Sequence, residues 1–258
     1  MILSILLPPK VRLFIFFSLA LLIMLILYYF ISGDNIDSTV AQERLVPIYY
    51  VDTTEKKIAF SFDASWGSEF TTRILEILRE NKITTTFFLT GFWIEKYPEL
   101  VKEIVAAGHE LGNHTWTHPH LNALDKPGIK QELELVHTAL NKLTGVEPKL
   151  FRPPFGEYSN KVIEAANELD YLTIQWSIDS LDWKDIGRQA VVQRVTSRLH
   201  PGAIILFHNN GLHTADALPE IIAQATKQGY SIVPISELLH QSDWNIDPAD
   251  GAQKRRRQ

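Results

Sequence analysis

Between residues 57 and 240, short apolar runs alternate with segments that place apolar residues every three or four positions. The short runs are typical of buried strands, whereas the spaced segments are typical of amphipathic helices. The predicted strands are residues 58–62, 85–90, 109–113, 149–151, 171–177, 203–207 and 230–235. The predicted helices are residues 70–81, 98–108, 130–145, 160–169, 188–199 and 217–229. This alternation predicts a parallel α/β sheet, either open or closed into a barrel.

The N-terminal region has a different pattern. Residues 13–31 are uncharged and almost wholly apolar, and as a helix they are long enough to cross about 30 Å of hydrocarbon. Lys10 and Arg12 precede this run and Asp34 and Asp37 follow it, so the charge bias places the N-terminus in the cytoplasm and the rest outside. The alternative is a cleaved signal peptide, but its apolar region is shorter, about 7 to 15 residues. We therefore expect a single-pass membrane anchor.

These patterns divide the chain into five parts. They are a cytoplasmic N-terminus (1–12), a transmembrane anchor (13–31), a stalk (32–56), a catalytic-sized domain (57–240) and a polar, basic C-terminal tail (241–258). The basic tail is interpreted as a solvated terminus, with binding to a wall polymer or to lipid as the alternative.

Composition narrows the classes of function. A 45% hydrophobic and 21% charged chain is typical of a folded protein. The net charge of −5 argues against nucleic-acid binding, because neutralising phosphates requires a basic surface. The chain has no cysteine, which excludes disulfides, cysteine-based zinc sites and thiol nucleophiles.

Candidate chemistry lies where the predicted strands end. In parallel α/β folds the carboxyl ends of the strands meet at one rim, where ligands bind. Ionisable or metal-capable residues follow the predicted strands at Asp63, Asn113–His118, Arg152, Asp179 with Asp182, and His208. Taken singly, each has a structural alternative: Asp63 as a helix cap, Arg152 as a structural cation, His208 as a hydrogen-bonded core histidine. Together they predict an active site at this rim.

His114 and His118 form a possible metal-binding pair. On a helix or a tight turn two imidazoles at this spacing share one face, which suits Zn²⁺. The alternative is a pair of surface histidines, since His109 and His120 make this region rich in histidine.

Five ordered segments resemble one known family. They are Ser61–Asp63, His114–His118, Arg152–Gly156, Asp179–Trp183 and Leu206–His208. At these separations they resemble the motifs of the polysaccharide deacetylase family (NodB homology, carbohydrate esterase family 4), most closely its membrane-anchored branch that includes PdaB-like sporulation proteins. The resemblance implies a distorted (β/α)7 TIM-like barrel and hydrolysis of N-acetyl groups on an amino-sugar polymer, with peptidoglycan, the cell-wall glycan, expected as substrate. It also implies an extracytoplasmic catalytic domain, and we expect a monomer.

The resemblance assigns four residues to catalysis. Asp63 matches the general base that takes a proton from water, and Arg152 matches the arginine that orients it. His208 matches the general acid that protonates the leaving amine, and Asp182 tunes His208. Amide hydrolysis needs such groups because water must be activated and an amine is a poor leaving group.

Five further residues are assigned to binding by the same resemblance. His114 and His118 match ligands of a divalent metal, with Zn²⁺ expected and Co²⁺ or Mn²⁺ as alternatives. The backbone N–H of Phe155 is expected to bind the oxyanion, and Trp183 and Leu206 to line the pocket for the acetyl group.

Ala64 departs from the family pattern. The family carries a second aspartate at this position as the third protein ligand of the metal, and a methyl group cannot coordinate a cation. Three outcomes stay open: turnover with a loosely held metal, hydrolysis without metal, or carbohydrate binding without turnover. The competing hypothesis is therefore a non-catalytic glycan-binding or scaffold protein, with a sugar platform drawn from Trp66, Trp93, Trp116 and Trp183.

Overall fold

A computed structural model describes residues 8–33 and 43–256, which fall into two units divided after Glu43. The first unit contains one helix, α1 (Pro9–Gly33), which includes the predicted anchor. Its stretch Pro9–Tyr28 is long and apolar enough to cross a membrane, by length and composition alone, a test that N-terminal signal sequences also meet. The acidic flank at Asp34 and Asp37 lies outside the described residues.

The second unit is an α/β domain. Its strands are β1 (Tyr50–Val51), β2 (Lys57–Ala64), β3 (Thr86–Leu89), β4 (Glu110–Asn113), β5 (Leu150–Phe151), β6 (Leu172–Thr173), β7 (Ile178–Asp179), β8 (Ile204–His208), β9 (Ser231–Ile232), β10 (Trp244–Ile246) and β11 (Ala252–Arg255). Its helices are α2 (Thr71–Glu80), α3 (Gly91–Lys96), α4 (Pro98–Ala106), α5 (Lys126–Thr144), α6 (Asn160–Asn167), α7 (Arg188–Thr196), α8 (Thr214–Lys227) and α9 (Ile235–Leu238).

The main sheet is parallel and curled into a half-barrel. Its strand order is β6-β5-β4-β3-β2-β8-β7, and β9 pairs with the start of β2. Each of the seven predicted strands overlaps an observed strand, and β7 is an addition that follows β6 closely. The predicted α/β barrel class is confirmed in this open form. Ile48 bridges to Ile174, which follows the edge strand β6, and Tyr50 bridges to Ala203, which precedes β8, so the segment before β2 contacts both sides of the opening.

The central strand β2 shows how the sequence builds two layers. Ile58, Phe60 and Phe62 point to one face and pack under the helices in the largest apolar cluster. The alternate positions Ser61 and Asp63 point to the other face, because successive side chains of a strand lie on opposite sides. The polar groups of the rim therefore lie inside the curl of the sheet.

The structure differs from the prediction in the stalk and the tail, because parts of both segments are folded. The strands β1, β11 and β10 form a second, three-stranded sheet, in which β1 is parallel and β10 antiparallel to β11. Ile48 and Val51 are buried, and Gly202 makes room for them: with φ of +75°, a Cβ there would lie 1.8 Å from the carbonyl oxygen of Val51. Residues 46–56 and 244–255 thus belong to the folded unit, because their apolar side chains find a partner in each other and in the barrel.

Candidate active site

The strand ends converge as predicted at the rim. Asp63 on β2 and His208 on β8 are register partners in adjacent parallel strands. Arg152 directly follows β5, and His114 directly follows β4. The fold therefore brings together four side chains that are separated in sequence by up to 145 positions (208 − 63).

Asp63 and Arg152 form a buried ion pair. Arg152 Nη1 lies 2.8 Å from Asp63 Oδ1, and Nη2 donates to Ser61 Oγ at 2.9 Å. The guanidinium stacks over the Phe88 ring, 4.2 Å from its centroid. Burial alone would raise the pKa of Asp63, but Arg152, His114 and His208 together offset it, so this pKa is lowered from its usual 3.8. Asp63 is therefore an ionised carboxylate at neutral pH.

His208 is held by a second carboxylate. Its Nδ1 lies 2.8 Å from Asp182 Oδ1, and its backbone N–H donates to Asp182 Oδ2 at 2.8 Å. Thr214 Oγ1 donates to the same Oδ2 at 2.6 Å. Burial lowers the pKa of His208, but hydrogen bonding and charge from Asp182 more than offset it, so the pKa is raised above 6.5. With Nδ1 engaged by Asp182, Nε2 remains for proton transfer.

Asn209 connects the Asp63 and His208 segments, and no local sequence pattern predicts it. Its backbone N–H donates to the carbonyl oxygen of Asp63 at 3.2 Å. Its buried side-chain amide donates to the carbonyl oxygen of Gly67 at 3.0 Å and to Thr71 Oγ1 at 3.1 Å. Asn209 thus fixes the strand end that carries His208 against the turn that follows Asp63.

The two candidate metal histidines lie in a tight turn. Their ring centroids are 4.9 Å apart. His114 Nδ1 is 2.7 Å from the carbonyl oxygen of Arg152, which makes Nδ1 the donor, and Nε2 is 3.5 Å from Asp63 Oδ2. Burial lowers the pKa of both histidines, that of His118 to about 3 with His114 contributing, so both are neutral.

The turn is held by residues outside the motif. Asn113 Oδ1 accepts the N–H of Thr115 at 2.9 Å, which supports the left-handed backbone of Thr115 with φ of 68°. Glu132 on α5 accepts three hydrogen bonds, from the N–H groups of Trp116 and Thr117 and from Thr117 Oγ1, each at 2.8 Å. Sequence reasoning missed Glu132, since only the fold brings α5 against this turn.

The metal that the resemblance implies requires a complete set of ligands. Two neutral histidines are present, and the Nδ1 of His118 is buried without a hydrogen-bond partner in the described part of the chain. Ala64 packs in the apolar cluster, and residues 8–33 and 43–256 contain no group of three or more His, Cys, Asp or Glu arranged to hold a metal. These residues do not complete a protein site for a metal.

The remaining predicted site residues lie around the rim. Phe155 is exposed, has a left-handed backbone with φ of 60°, and contacts the His118 ring at a centroid distance of 4.6 Å. Leu206 is buried in β8 two residues before His208, and exposed Trp183 directly follows Asp182. The prediction of Trp93 as a sugar platform is wrong, because this side chain is fully buried in the core.

Comparison with known proteins supports this geometry. The sequence profile described as polysaccharide deacetylase matches residues 50–174. The uncharacterized protein YlxY of Bacillus subtilis is 34% identical over 76% of this chain, which spans 61% of that relative's length. The peptidoglycan-N-acetylmuramic acid deacetylase PdaA of Bacillus subtilis is 32% identical over 83% of this chain and 82% of its own length.

Solved structures agree with the sequence matches. Wild-type BA3943 from Bacillus anthracis, described as a CE4 family pseudoenzyme, is 31% identical and superimposes with a TM-score of 0.73, covering 83% of this chain and 73% of its own. A BA3943 mutant with restored enzymatic activity has the same TM-score at 34% identity, with coverage of 81% and 72%. Divalent-metal dependence is general in this family. Sequence and fold agree: the chain belongs to the polysaccharide deacetylase family, carbohydrate esterase family 4.

Proposed function

We propose that the chain hydrolyses N-acetyl groups on the amino sugars of peptidoglycan. The observation that carries the proposal is the pairing of Asp63 and His208 on adjacent strands, each held by its own charged partner at 2.8 Å. The names of relatives such as PdaA support the substrate class. Some relatives are named N-acetylmuramic acid deacetylases and others N-acetylglucosamine deacetylases, so their names support both sugars as substrates.

Asp63 and His208 have opposite roles in this reaction. Arg152 keeps Asp63 ionised and pointing into the rim, so that the carboxylate accepts a proton from the attacking water. Its lowered pKa makes Asp63 a weak base, which limits the rate that this carboxylate alone supports. Asp182 keeps His208 protonated to higher pH, so that the imidazolium supplies the proton that the leaving amine needs.

Three residues are proposed to bind the reacting group. The backbone N–H of Phe155, in the stiff turn after Arg152, supports the developing oxyanion. Trp183 and Leu206 flank the His208 side of the rim and bound the space for the acetyl methyl group. His114 and His118 remain the proposed contacts for a divalent ion, with Zn²⁺, Co²⁺ and Mn²⁺ as candidates, in a site that is one protein ligand short.

The test is acetate release by the full chain in lipid nanodiscs from N-acetylglucosamine oligomers and from peptidoglycan fragments, with and without added Zn²⁺, Co²⁺ or Mn²⁺. We expect Asp63→Asn and His208→Ala each to lower the rate by about 10²- to 10⁴-fold. Asp243→Asn, at an exposed aspartate of the C-terminal region, is the matched control and should leave the rate unchanged. Absence of acetate under every metal condition would contradict the proposal.

The second candidate function is glycan binding without turnover. It is favoured by Ala64 and by the incomplete ligand set. Similarity to BA3943, named a pseudoenzyme, also supports it. This alternative predicts saturable binding of wall glycan that Asp63→Asn leaves intact, together with no acetate release. Loss of binding in that variant would count against it.

We also propose that α1 anchors the protein and that the domain acts outside the membrane, where peptidoglycan lies. The chain has no cysteine, so single cysteines report topology without background. We expect Ser242→Cys, at an exposed position, to react with a membrane-impermeant maleimide on intact cells, and Ser4→Cys to react only after lysis. Labelling of both positions only after lysis would place the domain inside.

A further inference from the structure

Exposed large apolar side chains of the α/β domain cluster around the candidate site. Within residues 44–256 they are Trp66, Leu135, Phe155, Trp183, Ile186 and Leu212. All except Leu135 follow the ends of β2, β5, β7 or β8, which form the rim. Apolar surface concentrated around polar groups in this way marks a ligand-binding face.

Trp66 is carried by a turn that buried residues hold in place. The Trp66 side chain itself is 57% exposed. The carbonyl oxygen of the next residue, Gly67, accepts hydrogen bonds from Trp93 Nε1 at 2.7 Å and from Asn209 Nδ2 at 3.0 Å, and both donor residues are buried. Gly67 has φ of +67°, a conformation that L side chains rarely adopt. An exposed tryptophan on a fixed turn binds a ligand with little loss of conformational freedom.

Trp66 lies directly beside the histidine turn. Its ring contacts His118 edge to face at a centroid distance of 4.8 Å, and His118 in turn contacts Phe155 at 4.6 Å. Trp66 therefore lies at the histidine end of the site, whereas Trp183 follows Asp182 at the His208 end. Two exposed indoles on separate strand ends mark a surface longer than the reacting acetamido group.

The chemistry of the surface favours a sugar polymer as its occupant. A pyranose ring has apolar C–H faces that match the face of an aromatic ring, while its hydroxyl groups stay in water. The ring of Trp66 adjoins the proposed acetamide site through its contact with His118, which places it where the next sugar of a chain would lie. Other tryptophans do not serve this role: Trp93 is buried, and Trp116 packs over Gly91, where a Cβ would lie 2.1 Å from the indole.

We propose that Trp66 forms a subsite that stacks a sugar ring neighbouring the reacting one, so that the ligand is an oligomer of N-acetylated amino sugars rather than a monosaccharide. This inference rests on the proposed function, because it concerns the same site. It adds a length requirement, which the polar residues of the rim alone do not impose.

The test is isothermal titration of the full chain in lipid nanodiscs with N-acetylglucosamine and its dimer to pentamer. We expect affinity of the wild type to rise with oligomer length. Trp66→Ala should weaken binding of the trimer and longer oligomers by about tenfold or more, which is about 1.4 kcal/mol, and remove the dependence on length. Trp66→Tyr should retain part of the dependence on oligomer length. Leu135→Ala is the control at an exposed apolar residue away from the rim, and it should bind the oligomers as the wild type does.

The outcomes separate this inference from the proposed reaction. If Trp66→Ala, with an unchanged unfolding midpoint, binds the pentamer as tightly as the wild type, the subsite is refuted whether or not acetate is released. If length-dependent binding is lost in Trp66→Ala while neither protein releases acetate, the subsite stands and the proposed catalysis fails. Equal affinity of the wild type for monomer and pentamer also refutes the subsite.

Discussion

The two halves of the rim differ in how completely their polar groups are supported. On one side, Asp63 and His208 each have a charged partner at 2.8 Å, supplied by Arg152 and Asp182. On the other side, His118 has a buried Nδ1 without a hydrogen-bond partner in the described residues, and Ala64, where the family carries a carboxylate, packs in the apolar cluster. The groups for proton transfer are thus positioned by the protein itself, whereas the metal half is incomplete.

The two halves rest on different supports and meet at His114, whose Nδ1 lies 2.7 Å from the carbonyl oxygen of Arg152 and whose Nε2 lies 3.5 Å from Asp63 Oδ2. The Asp63–Arg152 pair is fixed by Ser61 and by the Phe88 ring, and neither contact involves the histidine turn. The turn is instead fixed by Asn113 and Glu132. A change in the supports of one half, away from His114, should therefore leave the supports of the other half intact, which can be tested in order of effect size.

The largest expected effect comes from breaking the supported half. Arg152→Met leaves the Asp63 carboxylate buried without its cation, and removing one partner of a buried pair costs about 3–5 kcal/mol. The free energy of unfolding can be followed in urea by tryptophan fluorescence. Arg188→Met is the matched control, because the Arg188–Glu220 pair is partly exposed and should contribute about 1 kcal/mol or less. Equal losses in both variants would show that the Asp63–Arg152 pair has no special role in stability.

The next effect comes from completing the deficient half with Ala64→Asp. We expect the variant to bind about one Zn²⁺ per chain and to gain about 2.7 kcal/mol of stability at Zn²⁺ concentrations 100-fold above its Kd, because bound ligand stabilises the folded state. Without metal it should be less stable than the wild type, since Ala64 is buried in the apolar cluster.

Ala64→Asn is the matched control for the Zn²⁺ measurement, because it has similar size but no charge. Metal content of the purified proteins is measured by mass spectrometry beside the unfolding curves. Equal Zn²⁺ occupancy in the wild type and in Ala64→Asp would mean that the third ligand comes from elsewhere, and the halves would then be equally complete.

The supported half was largely predictable from sequence, and so was the defect in the other half. Asp63, Arg152 and His208 each follow an apolar run, and parallel strands bring such positions to one rim. Ala64 is visible as a substitution within a motif. The spacing of His114 and His118 fits both a helix and a tight turn, so the sequence alone does not predict the turn.

Other features depend on contacts that no local pattern records. Glu132 and Asn209 support the site through hydrogen bonds to distant segments, and in sequence they resemble ordinary polar residues. The sequence pattern places β1 in a stalk and β10 and β11 in a tail, because each strand is too short to show periodicity and forms only by pairing with the others. The opening of the half-barrel also depends on contacts between distant segments, which no local pattern records.

A third prediction concerns the pKa of His208. Because Asp182 raises this pKa above 6.5, the pair contributes stability that is fully present below pH 6.5 and is lost as pH rises through the raised value. Asp182→Asn should lower the pKa of His208, measured by NMR titration of the imidazole, and reduce the fall in unfolding free energy on the alkaline side. Asp185→Asn, an exposed neighbour in the same loop, should leave the His208 pKa unchanged. A His208 pKa near 6.5 in the wild type would contradict the proposed role of Asp182 in raising it.

The smallest expected effect is in the histidine turn. Glu132→Ala removes three hydrogen bonds at 2.8 Å from a partly exposed carboxylate, and we expect a loss of about 1 kcal/mol in unfolding free energy. Glu134→Ala, an exposed side chain of the same helix, should cost less. If the supports of the two halves are independent, Glu132→Ala changes the NMR signals of the His114 and His118 rings but leaves the His208 pKa as in the wild type. A shifted His208 pKa in this variant would show that the turn and the proton-transfer pair are coupled, and it would contradict the independence of their supports.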